Sequence, residues 1–404
     1  MAERSLTRAV RSWVRMPVAA RIGVIYALSR LVTTALLALA AAQSTSLSRF
    51  GADASVAEFV IGWDAQWYWT VAEYGYPAEL PRTDTGEVAE NAWAFMPVYA
   101  HVAKLVGFGF WPSGALVVSL VAGFLACLAL HRLLRDRIGA SAAMWAVAFF
   151  SCGPLAALFQ VGYAEALFVL LLLVALDLVS RHRYAWLYAL IPVMGFTRPG
   201  ILAFALFLGL HGLSRWVRRR VEPLGGREAA HIVALGALAT AVGFSWQLIA
   251  TVVTGEWDAY LQTELAWRRN WIPDASAEFV PFDGFLRAAV FWFSHWGMPG
   301  WWGPIALAVL VAGAAFLLMR VRAVRRLGVD IRLWSASYLL YLLAVFFPQS
   351  STFRLLMPLT PLWGAVAVPR RPGYRWAVLA ACLLGQWVWI LGMYGLGMTF
   401  WQIP

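Results

Sequence analysis

The chain has little charge, few cysteines and almost no lysine. Of its 404 residues only 13% are charged, and Lys104 is the only lysine, so nearly all the positive charge is arginine. With 61% of residues hydrophobic and a mean hydropathy of +0.68, a soluble domain is excluded and a polytopic membrane protein is expected. The three cysteines, Cys127, Cys152 and Cys382, lie in apolar runs without metal-ligand spacing, which leaves them as small core residues. No internal repeat and no low-complexity segment is present. The net charge of +11 does not point to nucleic acid, because the arginines gather at the ends of apolar runs, as in cytoplasmic loops. The arginine bias fits a GC-rich bacterial genome.

The arginine clusters at 4–21, 132–137, 181–183, 215–220, 320–326 and 370–375 mark one side of a membrane. An even number of crossings must separate neighbouring clusters. Spans are therefore expected near 22–43, 114–130, 141–159, 163–180, 184–196, 199–214, 231–253, 302–320, 332–347, 353–369 and 375–395, about eleven in all. This expectation describes one all-α domain over 1–404, with a cytoplasmic N-terminus (1–21), an outward C-terminus and an inner-membrane location. The first apolar run is too long for a signal-peptide core and lacks a clear cleavage site, so it is read as a retained span. Two polar segments, 44–113 and 254–301, face outward, and the short apolar piece 94–107 re-enters or lies on the surface. The pieces 184–196 and 199–214 break at Arg198-Pro199, and such breaks at membrane depth belong where they line a cavity.

The first outer segment carries WDAQWYW at 63–69. Read as a helix, it places Asp64 on an apolar face with Ala57, Val60, Ile61, Trp67, Tyr68 and Val71, while Gln66, Thr70 and Glu73 fall opposite. An acid among apolar side chains is costly unless paired or used. The alternative is that Asp64 merely caps a helix starting at Ala65. Other polar groups fall on the same side of the membrane. His101 and Lys104 share a helix face, Glu165 opens a span, and Arg198 and Arg354 oppose the charge bias. Taken singly, the arginines read as snorkelling side chains, Glu165 as a helix-dipole partner, and the tryptophans as interface anchors. Asp258, Glu264 and Asp283 read as solvated loop charges.

Together they fit transfer from a lipid phosphate. A carboxylate, Asp64, takes the proton of an acceptor hydroxyl, while Arg198 and Arg354, helped by Lys104 and His101, hold the departing phosphate. Trp63, Tyr68 and Glu165 are candidates for substrate contact. Arginine alone can hold a single phosphate, so no cofactor or metal is required, although a divalent cation is compatible with the chemistry.

The ordered set WDAQWYW, AFMPVY, YAEALF, TRPG and FRLLMPLTPLW resembles the PIG-V-type mannosyltransferases of the GT-C class of membrane glycosyltransferases, over residues 22 to 370. The resemblance implies a multispan fold with an extracytoplasmic active site. It also implies a polyprenyl-phosphate donor, mannose as the sugar, and inversion at the anomeric carbon. It assigns the catalytic acid to Asp64 and the motif arginines to Arg198 and Arg354. The chain departs from the family at Tyr99-Ala100, where a second aromatic-proline pair is more usual. The acceptor, whether glycan, lipid or protein, is unassigned.

A transporter or lipid flippase is the competing reading. It would favour internal repeats and midplane charges, whereas Asp177, the one acid well inside a late span, lies near the cytoplasmic end beside Arg181 and Arg183. A non-catalytic assembly subunit would leave Asp64 unexplained.

Overall fold

Proline, glycine and clustered charge punctuate the apolar runs, and the helices follow that punctuation. The computed structural model describes residues 15–269 and 279–398. Parts of the expected cytoplasmic N-terminus (1–14) and of the second outer segment (270–278) therefore lie outside the described residues. The helices, in order, are α1 (Val18–Ala42), α2 (Val56–Val60), α3 (Asp64–Tyr74), α4 (Pro97–Val106), α5 (Trp111–Ile138), α6 (Ala140–Ser151), α7 (Glu165–Ser180), α8 (Leu187–Gly195) and α9 (Ile201–Val217). They continue with α10 (Gly226–Thr254), α11 (Ala259–Arg269), α12 (Asp283–His295), α13 (Trp302–Arg320), then, after a single helical turn at Arg322–Arg325, α14 (Val329–Val345), α15 (Thr352–Leu355), α16 (Trp363–Ala367) and α17 (Pro372–Ile390). Among the described residues there is no strand, only an isolated bridge between Arg82 and Val88.

The protein is an all-α polytopic membrane protein. Among the described residues, five helices are long and apolar enough to cross a bilayer: α1, α5, α10, α13 and α17 with its extension to Gly395. The others that fall on expected spans are shorter. At 1.5 Å per residue, the 16 residues of α7 and the 17 of α9 and α14 reach only about 25 Å. Two expected spans are broken. The run 141–159 stops at Ser151, before Gly153-Pro154, and resumes as a tight turn over Ala156–Phe159. The run 353–369 divides around Pro358 and Pro361 into α15, a 3-10 segment and α16. Proline supplies no backbone donor, so each break frees carbonyls that need other partners. At the first break Arg30 of α1 supplies them: its guanidinium donates to the carbonyls of Ser151 and Ala156, both at 2.6 Å, and to Gln160.

The piece 94–107 condenses into ten-residue α4, about 15 Å long and far too short to span. It lies tightly against α5. A Cβ on Gly114 would stand 1.8 Å from the Ala103 carbonyl oxygen, so only glycine permits this approach. Tyr99 and Trp111 stitch the pair by donating to the carbonyls of Ala115 and Ala100. Among its described residues, the second polar segment, 254–301, contains two helices, α11 and α12, that hydropathy alone does not announce.

Charge forms two layers along α7. Glu165 opens the helix, and Asp177 lies about 18 Å further on. There Asp177 pairs with Arg181 at 2.8 Å and with Arg132 at 2.9 Å. Arg132 of α5 is its second partner. This places Asp177 in a basic-rich end of the bundle and away from its midplane.

Candidate active site

The continuous helix expected through Ala57 to Val71 is interrupted. A capping box at Ser55 and Glu58 starts α2, which ends at Val60. The Ser-x-x-Glu spacing of residues 55–58 carries that signal in the sequence. Trp63 then adopts φ 54°, a left-handed conformation unusual for so large a residue. This turn separates Ala57 and Ile61, both exposed, from the α3 face of Asp64, Trp67, Tyr68 and Val71. Asp64 is the first helical residue and its side chain makes no cap, which corrects the capping alternative. Its backbone amide donates to the Tyr163 hydroxyl at 3.4 Å.

The Asp64 carboxylate instead accepts from Nη1 of Arg354. The same Nη1 reaches Oε1 of Glu165 at 3.3 Å, and Nη2 of Arg198 reaches that oxygen at 3.3 Å from the other side. Asp64, Arg354, Glu165 and Arg198 thus form an alternating row of two acids and two bases. Glu165 is 1% exposed at its side chain, Arg198 9%, Arg354 12% and Asp64 14%, so the row is almost dry and opens at the Asp64 end. Burial pushes the Asp64 carboxyl above the usual aspartate range, against the opposing pull of Arg354.

Four elements hold the row. α3 brings Asp64, and the start of α7 brings Glu165. Arg198 comes from the turn before Gly200, whose φ of 131° only glycine adopts comfortably. Arg354 comes from α15, where the Tyr338 hydroxyl anchors the Leu355 carbonyl at 2.6 Å. Tyr338 also hydrogen-bonds Arg198. Tyr163, fully buried, lies with its ring 5.4 Å from the Arg354 guanidinium. Tyr163 and Tyr338 were not among the candidates. Tyr163 stands two positions before Glu165, whereas nothing in the pattern around Tyr338 marks it.

The other candidates occupy different surroundings. Trp63 is buried, with its indole N–H donating to the Met393 carbonyl at 3.0 Å and Arg49 over its ring. Tyr68 is buried edge-on to Phe95 and Tyr99, near the row. Lys104 donates to the Ala72 carbonyl at 2.8 Å and pairs with Glu73 at 3.0 Å, on the side of α3 away from Asp64. His101 is exposed on α4. Neither Lys104 nor His101 touches Arg198 or Arg354 in the described contacts. Among the described residues, no three His, Cys, Asp or Glu side chains are grouped to hold a metal ion.

No protein-family profile matches the chain. No characterised protein matches it in sequence. Among solved structures, it is similar to an oligosaccharyltransferase of Archaeoglobus fulgidus solved with zinc and sulfate. The identity is 14% and the TM-score 0.40, over 91% of this chain and 53% of that one. AglB from the same organism, in complex with an inhibitory peptide and a dolichol-phosphate, is similar at 14% identity and a TM-score of 0.40, over 95% and 56% of the two chains. The chain spans just over half the length of these structures. At this level of similarity, neither activity nor residue roles transfer to it.

Proposed function

We propose that the protein is a PIG-V-type glycosyltransferase that moves a sugar, mannose by its motifs, from a polyprenyl-phosphate donor to an acceptor hydroxyl. The site would face the extracytoplasmic side of a bacterial inner membrane. The observation that carries the reading is the position of one Glu165 oxygen between the guanidinium groups of Arg354 and Arg198. Two arginines that converge on one carboxylate oxygen are equally placed for one phosphate oxygen. Asp64 stands at the open end of the same row.

The reaction uses these parts in order. Donor phosphate competes with Asp64 for Arg354 and loosens the carboxylate. Asp64 takes the proton of the acceptor hydroxyl. The acceptor oxygen forms its bond to the anomeric carbon from one face, while the bond to the phosphate oxygen breaks on the other. The leaving phosphate keeps the electron pair, and Arg354 and Arg198 stabilise its charge. The donor's tail needs apolar surroundings beside this point. A cavity of about 720 Å³, lined by Phe353, Leu356, Met357, Trp363, Val388 and Trp389 among others, adjoins the segment that carries Arg354. Its volume suits a bound small molecule or part of a lipid chain.

Purified protein incubated with polyprenyl-phosphate mannose and membrane extract is expected to yield a mannosylated product by mass spectrometry. Movement of intact lipid without a new glycosidic bond would instead support a flippase. A cysteine placed at exposed Asp84 is expected to label from the extracytoplasmic side, and labelling only from the cytoplasm would overturn the orientation.

A further inference from the structure

Glu264 is not the loop charge that its sequence context suggests. It lies on α11, with Tyr260 four residues before and Trp267 three residues after, so the three share one helix face. That face looks toward α3. The Trp267 ring meets Trp67 at 6.0 Å and Phe95 at 6.1 Å. Trp67 is one turn beyond Asp64 on α3. On the other flank, Tyr341 of α14 lies within electrostatic reach of both Glu264 and Arg198. Tyr341 and Tyr338, the partner of Arg198, have ring centroids 6.4 Å apart. The α11 face therefore lies against α3, which carries Asp64, and close to Tyr341 beside Arg198.

Glu264 keeps more than a third of its surface open, yet protein surrounds it closely enough that burial pushes its carboxyl up to about 7. Tyr260 hydrogen-bonds the carboxyl. The result is an exposed acceptor group beside the phenol of Tyr260 and the indole of Trp267, on the helix face that looks toward α3.

We infer that the α11 face of Tyr260, Glu264 and Trp267 is an acceptor subsite for a hydroxyl-rich ligand of the carbohydrate class. Aromatic faces cover the C–H side of a sugar ring, and a carboxylate accepts from its hydroxyls. A lipid or protein acceptor without sugar hydroxyls has no use for this combination. The inference deepens the transferase reading and rests on it.

Saturation-transfer difference NMR on the full chain in nanodiscs, with methyl mannoside and methyl glucoside as probes, tests the subsite. Polyprenyl phosphate binding, followed by thermal shift, is measured in parallel. Ring-proton saturation is expected for at least one glycoside in the wild type. Trp267→Ala should abolish it, and Glu264→Gln should weaken binding about tenfold. Both variants should still bind polyprenyl phosphate, which shows that they are folded. Saturation that persists in both variants would overturn the subsite, as would absence of saturation in a wild type that binds polyprenyl phosphate. A wild type that binds glycoside but not polyprenyl phosphate would uphold the subsite and count against the transferase reading.

Discussion

The guanidinium of Arg354 rests on the carboxylate of Asp64, although 290 positions separate the two in the chain. Glu165 shares the same guanidinium nitrogen, and Arg198 closes on Glu165 from beyond. Four charges cancel in a nearly dry site, so each residue's role depends on its neighbours. A change to one of them moves stability and ligand binding by different amounts.

Asp64→Asn keeps the shape of the side chain but cannot accept a proton. Turnover is expected to fall on the order of a hundredfold or more, with polyprenyl phosphate still bound. Glu73→Gln, on the far face of α3 and paired with Lys104, should stay close to wild type. Sugar transfer at matched protein levels checks both. Near-normal transfer by Asp64→Asn would leave Asp64 as only an anchor for Arg354.

Arg354→Met strands two poorly solvated acids. It is expected to lower stability by about 3–5 kcal/mol, the usual cost of removing one partner from a buried ion pair. Arg354→Lys retains a charge but loses the fork that serves Asp64 and Glu165 together. It should fold better than the methionine variant and still bind polyprenyl phosphate more weakly than wild type. Thermal denaturation with and without that ligand separates the two effects.

Glu165→Gln removes the carboxylate that, in the proposed reaction, would compete with phosphate for both arginines. The variant is expected to be less stable than wild type and yet to bind polyprenyl phosphate more tightly, by severalfold. Calorimetric titration in nanodiscs reads this directly. Weaker binding would show that Glu165 supports the ligand rather than standing in its place.

Two acids make the protein sensitive to pH. Asp64 must be ionised to act as a base, and burial raises its pKa, so the acidic limb of the rate profile should lie above the ordinary aspartate range. Glu264 bears on stability. Its carboxyl shifts from 4.5 to about 7, so the folded protein holds a proton there that the unfolded chain releases. The resulting stabilisation is present below about 4.5 and is lost as pH rises through about 7. Melting temperatures of wild type and Glu264→Gln, compared across this window, should differ in slope, with wild type losing more stability toward neutrality.

Local pattern carries much of this protein. Apolar runs, proline, glycine and the arginine bias determine a helical membrane chain and most of its helix ends, because each is set by neighbours within a few residues. The same patterns single out Asp64, Glu165, Arg198 and Arg354, since charge on an apolar face or on the wrong side of a span is conspicuous in one dimension. What each of them touches is another matter. Lys104 has a carboxylate, Glu73, close by in the fold, and the contact removes it from the arginines. Arg30 is a charge inside the first span that periodicity passes over, and its partners are carbonyls exposed by a helix break more than a hundred residues away. The turn at Trp63 re-aims Asp64, and α11 sets Glu264 on one face with Tyr260 and Trp267. Such choices depend on which helix ends pack at the same depth, and on which donors and acceptors are left unpaired when they do. Only the folded chain decides that, because an ion pair forms between groups that packing brings together, however far apart they stand in sequence.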